Sequence, residues 1–195
     1  KQVLEDIDMV SIKSQSEIAL MREAGKILGN TLKLLEENVK KVIVSEGIKR
    51  IEAYAFSCCT ALESVQLPSS LVFIGANCLT SNNVFGAFSN STSLKEVTFG
   101  ENMQRLVIED KAFQGCTNLT TLKNITDRAT FSNVYSASKT FSDSKLTVYD
   151  GGYYDSVEMR TLIGFRRDYN NRLEVSGTIP KGVRFICGGV FKDSS

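Results

Sequence analysis

The sequence contains no histidine and no tryptophan, and only two of its 195 residues are proline. Histidine is the commonest general base and the commonest metal ligand, so its absence excludes His-dependent catalytic triads and His-based zinc sites from this chain. No apolar run approaches the roughly 18 residues that a membrane-spanning helix needs. We therefore expect no membrane insertion, and the start of the sequence lacks the basic stretch and apolar core of a signal peptide.

The chain also has no large excess of positive or negative charge. The chain has 23 basic and 22 acidic residues and a net charge of +1. Nucleic-acid binding requires an excess of basic residues on the protein surface, and this chain has almost none. We therefore expect no nucleic-acid partner.

Five cysteines are present: Cys58, Cys59, Cys78, Cys116 and Cys187. None forms a C-x-x-C pair, and an odd number cannot be fully paired in disulfides. We expect buried free thiols that behave as small apolar residues, with no metal site and no cofactor.

The chain repeats one phrase around three Ala-Phe dipeptides, which end at Phe56, Phe88 and Phe113. After each Phe, a Leu follows at +6 and apolar residues follow at +9 and +11. These residues are Leu62, Val65 and Leu67, then Leu94, Val97 and Phe99, then Leu119 and Leu122, with polar Asn124 in the last position. The pattern predicts stacked repeats.

A second apolar pattern precedes the Phe and gives a unit of about 23 residues. Ile48, Ile51 and Phe56 have spacings of 3 and 5, and Val183, Ile186 and Phe191 repeat both. Extra residues lie in "ANCLTSNNVFG" (76–86) and in "MQRLVIED" before Phe113. Near Phe141, "TFSDSKLTVYD" is a degenerate closing copy.

Each L-x-x-V-x-L segment places alternate residues on one face of a short strand. One strand cannot bury that face alone, so each unit must be stabilised by its neighbours. We expect the repeat Phe residues to stack on one another. Cys59, Ser91 and Cys116, each three residues after a Phe, should form a column of small inward-facing side chains.

The words "IEAYAFSCCTALESVQLPSSLVFIG" and "KAFQGCTNLTTL" resemble the BspA-type leucine-rich repeat, a family of surface proteins in bacteria and some protozoa. The resemblance covers residues 41–155 approximately and resumes at 173–191. It implies a right-handed leucine-rich-repeat solenoid of mainly short β-strands. Together with the N-terminal α-helix that residues 14–39 predict as a cap, this gives an α/β fold. The resemblance also implies a surface or extracellular location and a role in adhesion or ligand binding.

Residues 14–39 have helical periodicity. Ser14 and Glu17 fit a capping box, and Ile18, Met21, Gly25, Leu28, Leu32, Leu35 and Val39 recur at steps of three and four. We predict three parts: an N-terminal amphipathic helix (1–40), a repeat array (41–150), and a closing segment with a partial further repeat (151–195).

The segment 9–40 resembles the opening of a type I methionine aminopeptidase. The catalytic domain of that family, which carries a dinuclear metal site that includes a His, does not follow, so we assign no catalytic residue. The helix either caps the exposed end of the apolar column or forms a dimer through the same stripe.

The residues between the inward-facing positions of the strands are candidates for a ligand-binding face. They are Ser64, Gln66, Glu96, Thr98, Thr121 and Lys123, preceded by Lys41 and Ile43. The alternative is an ordinary solvated sheet surface. The insertion at 76–86 is a second candidate, because function concentrates in loops that depart from a regular scaffold. It carries Asn82, Asn83, Val84 and Phe85, which either form a contact point or close the insertion internally.

These observations favour a non-catalytic module that binds protein or glycan partners at a cell surface. A structural spacer within a larger surface protein is the alternative, and an enzyme related to methionine aminopeptidase is a remote one. The chain ends at "GGVFKDSS", where a new repeat would need its next strand. We therefore expect a piece of a longer protein or an array with an irregular C-terminal cap.

Overall fold

The computed structural model describes residues 38–75, 85–131, 140–141, 143–165, 178–188 and 190–191, together with Ser16, Ala19, Arg22 and Glu23. The chain divides into two compact units, Lys1–Leu35 and Glu36–Ser195. All of the strands belong to the second unit.

Twelve short strands lie within the described residues. They are β1 Lys41–Ile43, β2 Arg50–Ile51, β3 Ser64–Gln66, β4 Phe73–Ile74, β5 Glu96–Thr98, β6 Leu106–Ile108, β7 Thr121–Lys123, β8 Ala129–Phe131, β9 Thr147–Tyr149, β10 Gly152–Tyr154, β11 Thr161–Phe165 and β12 Phe185–Ile186. They form three four-stranded sheets. We call β1-β3-β5-β7 the front sheet, β2-β4-β6-β8 the back sheet and β12-β11-β10-β9 the closing sheet.

The front sheet contains one strand from each repeat, and all of its strands are parallel. The central residues Val65, Val97 and Leu122 are in register and are buried. Each strand has only three residues and places only its middle one inward, so burial of this face depends on the neighbouring repeats. The predicted repeat solenoid is confirmed.

The back sheet is also parallel, with β4 between β2 and β6. Its inward residues Ile51, Ile74, Leu106 and Ile108 are buried in the same core. The sequence pattern did not predict these strands, because two or three residues are too few for alternation to be visible. The segment "MQRLVIED", interpreted above as containing extra residues, includes β6.

The repeat Phe residues form a continuous stack in the core. Ring centroids are 5.1 Å apart between Phe56 and Phe88, 5.0 Å between Phe88 and Phe113, and 5.8 Å between Phe113 and Phe141. The planes of these three pairs are within 15° of parallel. The predicted stacking is confirmed, and Phe141 adds a fourth ring from the degenerate copy.

The column three residues after each Phe also has a structural role. Ser91 Oγ donates a 2.7 Å hydrogen bond to the carbonyl oxygen of Phe56, and Cys116 Sγ donates to that of Phe88 at 3.1 Å. Ser91 and Cys116 are buried and Cys59 is half-buried. The small donor therefore satisfies a carbonyl of the preceding repeat, which would be costly to leave unpaired.

The position two residues after each Phe has a left-handed backbone. Its occupants Cys58, Asn90 and Gly115 have φ of 58°, 60° and 74°. The expectation that the cysteines are buried free thiols is wrong for Cys58, which is exposed because this turn position points away from the core. Cys116 and Cys187 are buried free thiols, and Cys78 lies outside the described residues.

The front sheet ends with β7, after which Asn124 has φ 60° and donates through Nδ2 to the carbonyl oxygen of Phe99 at 3.2 Å. Ile125 is buried immediately after it. The chain then forms β8 of the back sheet and contributes Phe141 to the stack before it enters the closing sheet, in which β9, β10 and β11 are antiparallel and β12 runs parallel to β11.

The spacing of Val183, Ile186 and Phe191 matches that of Ile48, Ile51 and Phe56, but the two segments differ in which residues are buried. Ile186 and Phe191 are 38% and 50% exposed, whereas Cys187 and Val190 are buried. The reason is that β12 joins β11 of the closing sheet, whereas the corresponding Ile51 lies in the back sheet. Gly188 then bridges Thr130 of β8, and Cys187 and Val190 are the buried positions of this segment.

Most of the predicted N-terminal helix lies outside the described residues. Within 14–39, Ser16, Ala19, Arg22, Glu23 and Asn38 have helical backbone. The cap and the helix-mediated dimer therefore stay predictions. No helix that the described positions form is long and apolar enough to cross a membrane.

A polar sheet face and the groove at its end

The outward residues of the front sheet form two rows across all four strands. The register aligns Lys41, Ser64, Glu96 and Thr121 in one row, and Ile43, Gln66, Thr98 and Lys123 in the other. All eight are exposed or half-buried. The structure thus brings the residues of the predicted face together on one continuous surface.

Polar contacts order the part of this face near β7. Lys123 Nζ lies 2.7 Å from Glu96 Oε2, and Thr98 Oγ1 donates to Glu96 Oε1 at 3.3 Å. Such an exposed ion pair contributes about 1 kcal/mol at most to stability. Its main effect is to fix side-chain positions on a rigid sheet.

A ladder of charges borders the face. Glu63 contacts Lys95 Nζ at 2.9 Å and Lys40 Nζ at 3.4 Å. Hydrogen bonding and charge from Lys95, and then from Lys40, hold the pKa of Glu63 below its ordinary value. Sequence reasoning missed this ladder, although its signal is simple: each member immediately precedes a front strand.

A cavity of about 530 Å³ lies where the front sheet meets the closing sheet. One wall is residues 121–126, which include Thr121 and Lys123 of the predicted face. The other is formed by the β10–β11 connection, from Asp155 to Thr161, and Phe185 of β12.

Hydrogen bonds hold the two walls together. Leu122 N donates to the carbonyl oxygen of Asp155 at 2.8 Å, and Thr161 Oγ1 donates to that of Ile125 at 2.9 Å. The Sγ of Cys187 donates to the carbonyl oxygen of Thr126 at 3.5 Å. The cavity is therefore a pre-formed feature of the fold.

Asp155 is a buried carboxyl group in the wall of the cavity. Its Oδ1 accepts hydrogen bonds from Arg160 N at 3.0 Å and Thr161 N at 3.1 Å, which shape the connection. Burial raises the pKa of Asp155, and these hydrogen bonds only partly oppose the shift.

A second cavity of about 350 Å³ adjoins the first and shares Asn102, Asn124, Thr126 and Phe185 with it. The ring of Phe185 is 40% exposed. We call the two cavities together the end groove. Sequence reasoning missed it, because its residues come from turns that are far apart in the chain.

The insertion loop is described only at its end. Phe85 is half-buried, and its ring centroid lies 5.8 Å from that of Tyr54. Asn82, Asn83 and Val84 lie outside the described residues, so the loop as a contact site stays a prediction.

The described residues assemble no group of three or more Cys, Asp or Glu side chains suited to a metal ion. Burial raises the pKa of Cys116 to about 12 and also raises that of Cys187. Both thiols are therefore protonated at neutral pH and are poor nucleophiles.

Comparison with known proteins gives one curated relative and two solved structures. A methionine aminopeptidase from Clostridium perfringens is 38% identical over 93 residues, which are 45% of this chain and 35% of that protein. The chain thus spans about a third of that relative's length.

The solved structures are the leucine rich repeat protein TpLRR of T. pallidum and a leucine rich cell surface protein of Faecalibacterium prausnitzii A2-165. The first is 18% identical to this chain, with a TM-score of 0.41. The match covers 80% of this chain and 55% of that protein. The second is 22% identical with a TM-score of 0.38, covering 80% and 46%.

The family comparison covers the greater part of the chain. The BspA type leucine rich repeat region matches residues 31–85 and 85–151 in six copies. These ranges contain all of the front and back strands and the stacked Phe residues. The chain therefore belongs to the BspA type leucine rich repeat family.

Proposed function

We propose that this chain is a non-catalytic binding module that presents the outer face of its front sheet to a protein partner at a cell surface. The observation that carries the proposal is the alignment of eight outward residues in two rows on rigid parallel strands. Solenoid repeats commonly bind partners along such extended surfaces. The surface location rests on family membership.

The face suits a polar protein surface. It combines hydroxyl and amide side chains with the Lys123–Glu96 ion pair, so it can both donate and accept hydrogen bonds. The apolar Ile43, which is 62% exposed, lies in the same row as Gln66. A polar surface with a local apolar contact is typical of non-obligate protein interfaces.

Binding to immobilised extracellular-matrix proteins tests the proposal. The test variant carries Gln66→Glu, Thr98→Glu and Thr121→Glu on the face. The matched control carries Thr60→Glu, Thr92→Glu and Thr117→Glu, which are exposed and occupy the same turn position in three repeats. We expect the face variant to lose at least roughly tenfold in affinity, because charge is added to a surface that must be desolvated, and the control to keep it.

Both variants add the same charge, so an equal loss in both would contradict a specific role of the face. Binding unchanged in the face variant would exclude the face as the site. If no protein of the panel bound, the spacer alternative would be favoured.

The non-catalytic part of the proposal has its own test, because residues 9–40 resemble a methionine aminopeptidase. The chain is incubated with Co²⁺ or Mn²⁺ and the peptide Met-Ala-Ser, and free methionine is measured. We expect no release, since the dinuclear metal site of that family includes a His and this chain contains none. Turnover above the metal-only blank would overturn this part of the proposal.

A further inference from the structure

We propose that the end groove is a second binding site and that it takes a neutral oligosaccharide. This site adjoins the front-sheet face and shares Thr121 and Lys123 with it. Three properties of the groove match such a ligand: its charge, its accessible apolar surface and its neutral polar side chains.

Charge in the groove is largely compensated. Lys123 Nζ is 2.7 Å from Glu96 Oε2, and Arg160 Nη2 is 2.8 Å from Glu158 Oε2. In the second cavity, Asp127 and Arg128 contribute one charge of each sign. Glu101 and Asp155 leave a slight negative excess, so an anionic ligand such as a phosphate would find no uncompensated pair of cations.

Among the large apolar side chains that line the two cavities, only that of Phe185 is exposed. Leu122, Ile125 and Met103 also line the cavities, but they are buried, whereas Phe185 is exposed where the two cavities meet. Sites for aliphatic or drug-like ligands are lined mainly by apolar side chains. A single exposed ring among polar groups instead suits a ligand with one apolar face, such as the C–H face of a sugar ring.

The two cavities are also lined by neutral hydrogen-bonding side chains: Asn102, Gln104, Thr121, Asn124, Thr126 and Ser156. Asn102 and Asn124 line both cavities and have φ of 52° and 60°, which asparagine tolerates better than most residues. Amides and hydroxyls both donate and accept hydrogen bonds, which matches the hydroxyl groups of a sugar.

The size of the groove is consistent with this ligand class. Its two cavities, of about 530 and 350 Å³, each lie within the usual volume range of small-ligand sites. Hydrogen bonds between the walls keep the groove formed without a ligand, which reduces the entropy cost of binding.

Titration of the ¹⁵N-labelled chain with neutral trisaccharides tests the proposal. The probes are maltotriose, cellotriose, mannotriose and chitotriose at millimolar concentration, with sialyllactose as the anionic comparison and acetyl-triglycine amide as the neutral peptide comparison. We expect at least one neutral trisaccharide to shift the amide signals of Asn102, Asn124 and Phe185, and the two comparison compounds to leave them unchanged.

Variants then locate the site. Phe185→Leu should weaken binding roughly tenfold, because the stacking surface is lost. Asn102→Gly removes the side-chain amide but accepts the positive φ, and it should also weaken binding. The matched control is Tyr149→Leu, which changes an aromatic side chain that is 46% exposed and outside the groove.

The proposal is overturned if no neutral trisaccharide shifts the groove signals, or if Tyr149→Leu weakens binding as much as Phe185→Leu. Tighter binding of acetyl-triglycine amide would overturn it in favour of a peptide, and tighter binding of sialyllactose in favour of an anionic sugar. The Gln66→Glu and Thr98→Glu double variant leaves Thr121 of the groove unchanged and tests the protein partner on its own, so the two proposals can fail separately.

Discussion

Individual residues show how one backbone requirement is met by different side chains. The turn position after each Phe needs a left-handed backbone, and Gly115 and Asn90 are residues that adopt it readily. Cys58 has the same conformation without that advantage. Its neighbour Cys59 is half-buried, so the two adjacent free thiols lie in different environments.

Glycine at position 58 should give a more stable protein than alanine. We expect Cys58→Gly to have a free energy of unfolding about 1 kcal/mol above that of Cys58→Ala, because glycine avoids the Cβ clash of a left-handed residue. Equilibrium unfolding in urea under reducing conditions measures the difference. The alanine variant controls for loss of the thiol, and equal stability of the two variants would contradict the strain at this position.

Asp155 should make stability depend on pH. Burial raises its folded-state pKa above the unfolded value of about 3.9, so its contribution is fully present below that value and is lost as pH rises through the folded pKa. Asp155→Asn keeps an acceptor for Arg160 N and Thr161 N but cannot ionise. Wild type should therefore lose stability relative to the variant between acidic and neutral pH.

Urea unfolding of both proteins from about pH 4 to pH 7 measures this effect. The control is Glu101→Gln, which changes an exposed carboxyl group in the same groove. A stability difference between wild type and Asp155→Asn that stays constant, or that moves in favour of wild type as pH rises, would contradict the prediction.

At the scale of elements, the Phe stack connects neighbouring repeats, and its inner members should contribute most. Phe88 is fully buried between two rings, whereas Phe56 is half-buried and has one ring neighbour in the stack. We expect Phe88→Leu to lower the free energy of unfolding by roughly 1–2 kcal/mol and Phe56→Leu by less than about 1 kcal/mol. Denaturant unfolding measures both, and an equal or reversed order would contradict neighbour-dependent stabilisation.

The sequence predicts the front strands because their apolar positions recur at fixed offsets from a conspicuous Phe. It does not predict the back strands, since Phe73 and Ile74 alone carry no alternation. At Ile186 the same spacing wrongly indicates a buried residue, because β12 joins the closing sheet and not the back sheet to which Ile51 belongs. The end groove joins Asn102, Asn124, Asp155 and Phe185, and no local pattern connects them.

At the scale of the whole molecule, a stack of repeats needs a cover at each end. At the C-terminal end, the closing sheet is hydrogen-bonded to the last repeat through Asp155, Thr161 and Cys187. At the N-terminal end, Val42 and Phe56 are only partly buried, and the apolar stripe of residues 14–39 stays our candidate for a cap.

Removing residues 1–38 should therefore cause aggregation or loss of cooperative melting, because the first repeat would lose the cap. A full-length variant with Leu28→Gln, Leu32→Gln and Leu35→Gln serves as the matched comparison, since it keeps the chain length and changes only the stripe. Thermal unfolding and light scattering measure both proteins. An unchanged melt in both would rule out capping, and a change from dimer to monomer in the triple variant with an unchanged melt would favour the dimer.

The pairing of front strands is independent of how much chain separates them. Ser64 pairs with Glu96, 32 residues later, and Glu96 pairs with Thr121, 25 residues later, in the same register. Longer connections cost little extra closure entropy. A foreign segment grafted between Gly75 and Phe85 should therefore leave both polar rows aligned, so such an array can diversify one loop at a time while the outer face of its front sheet stays unchanged.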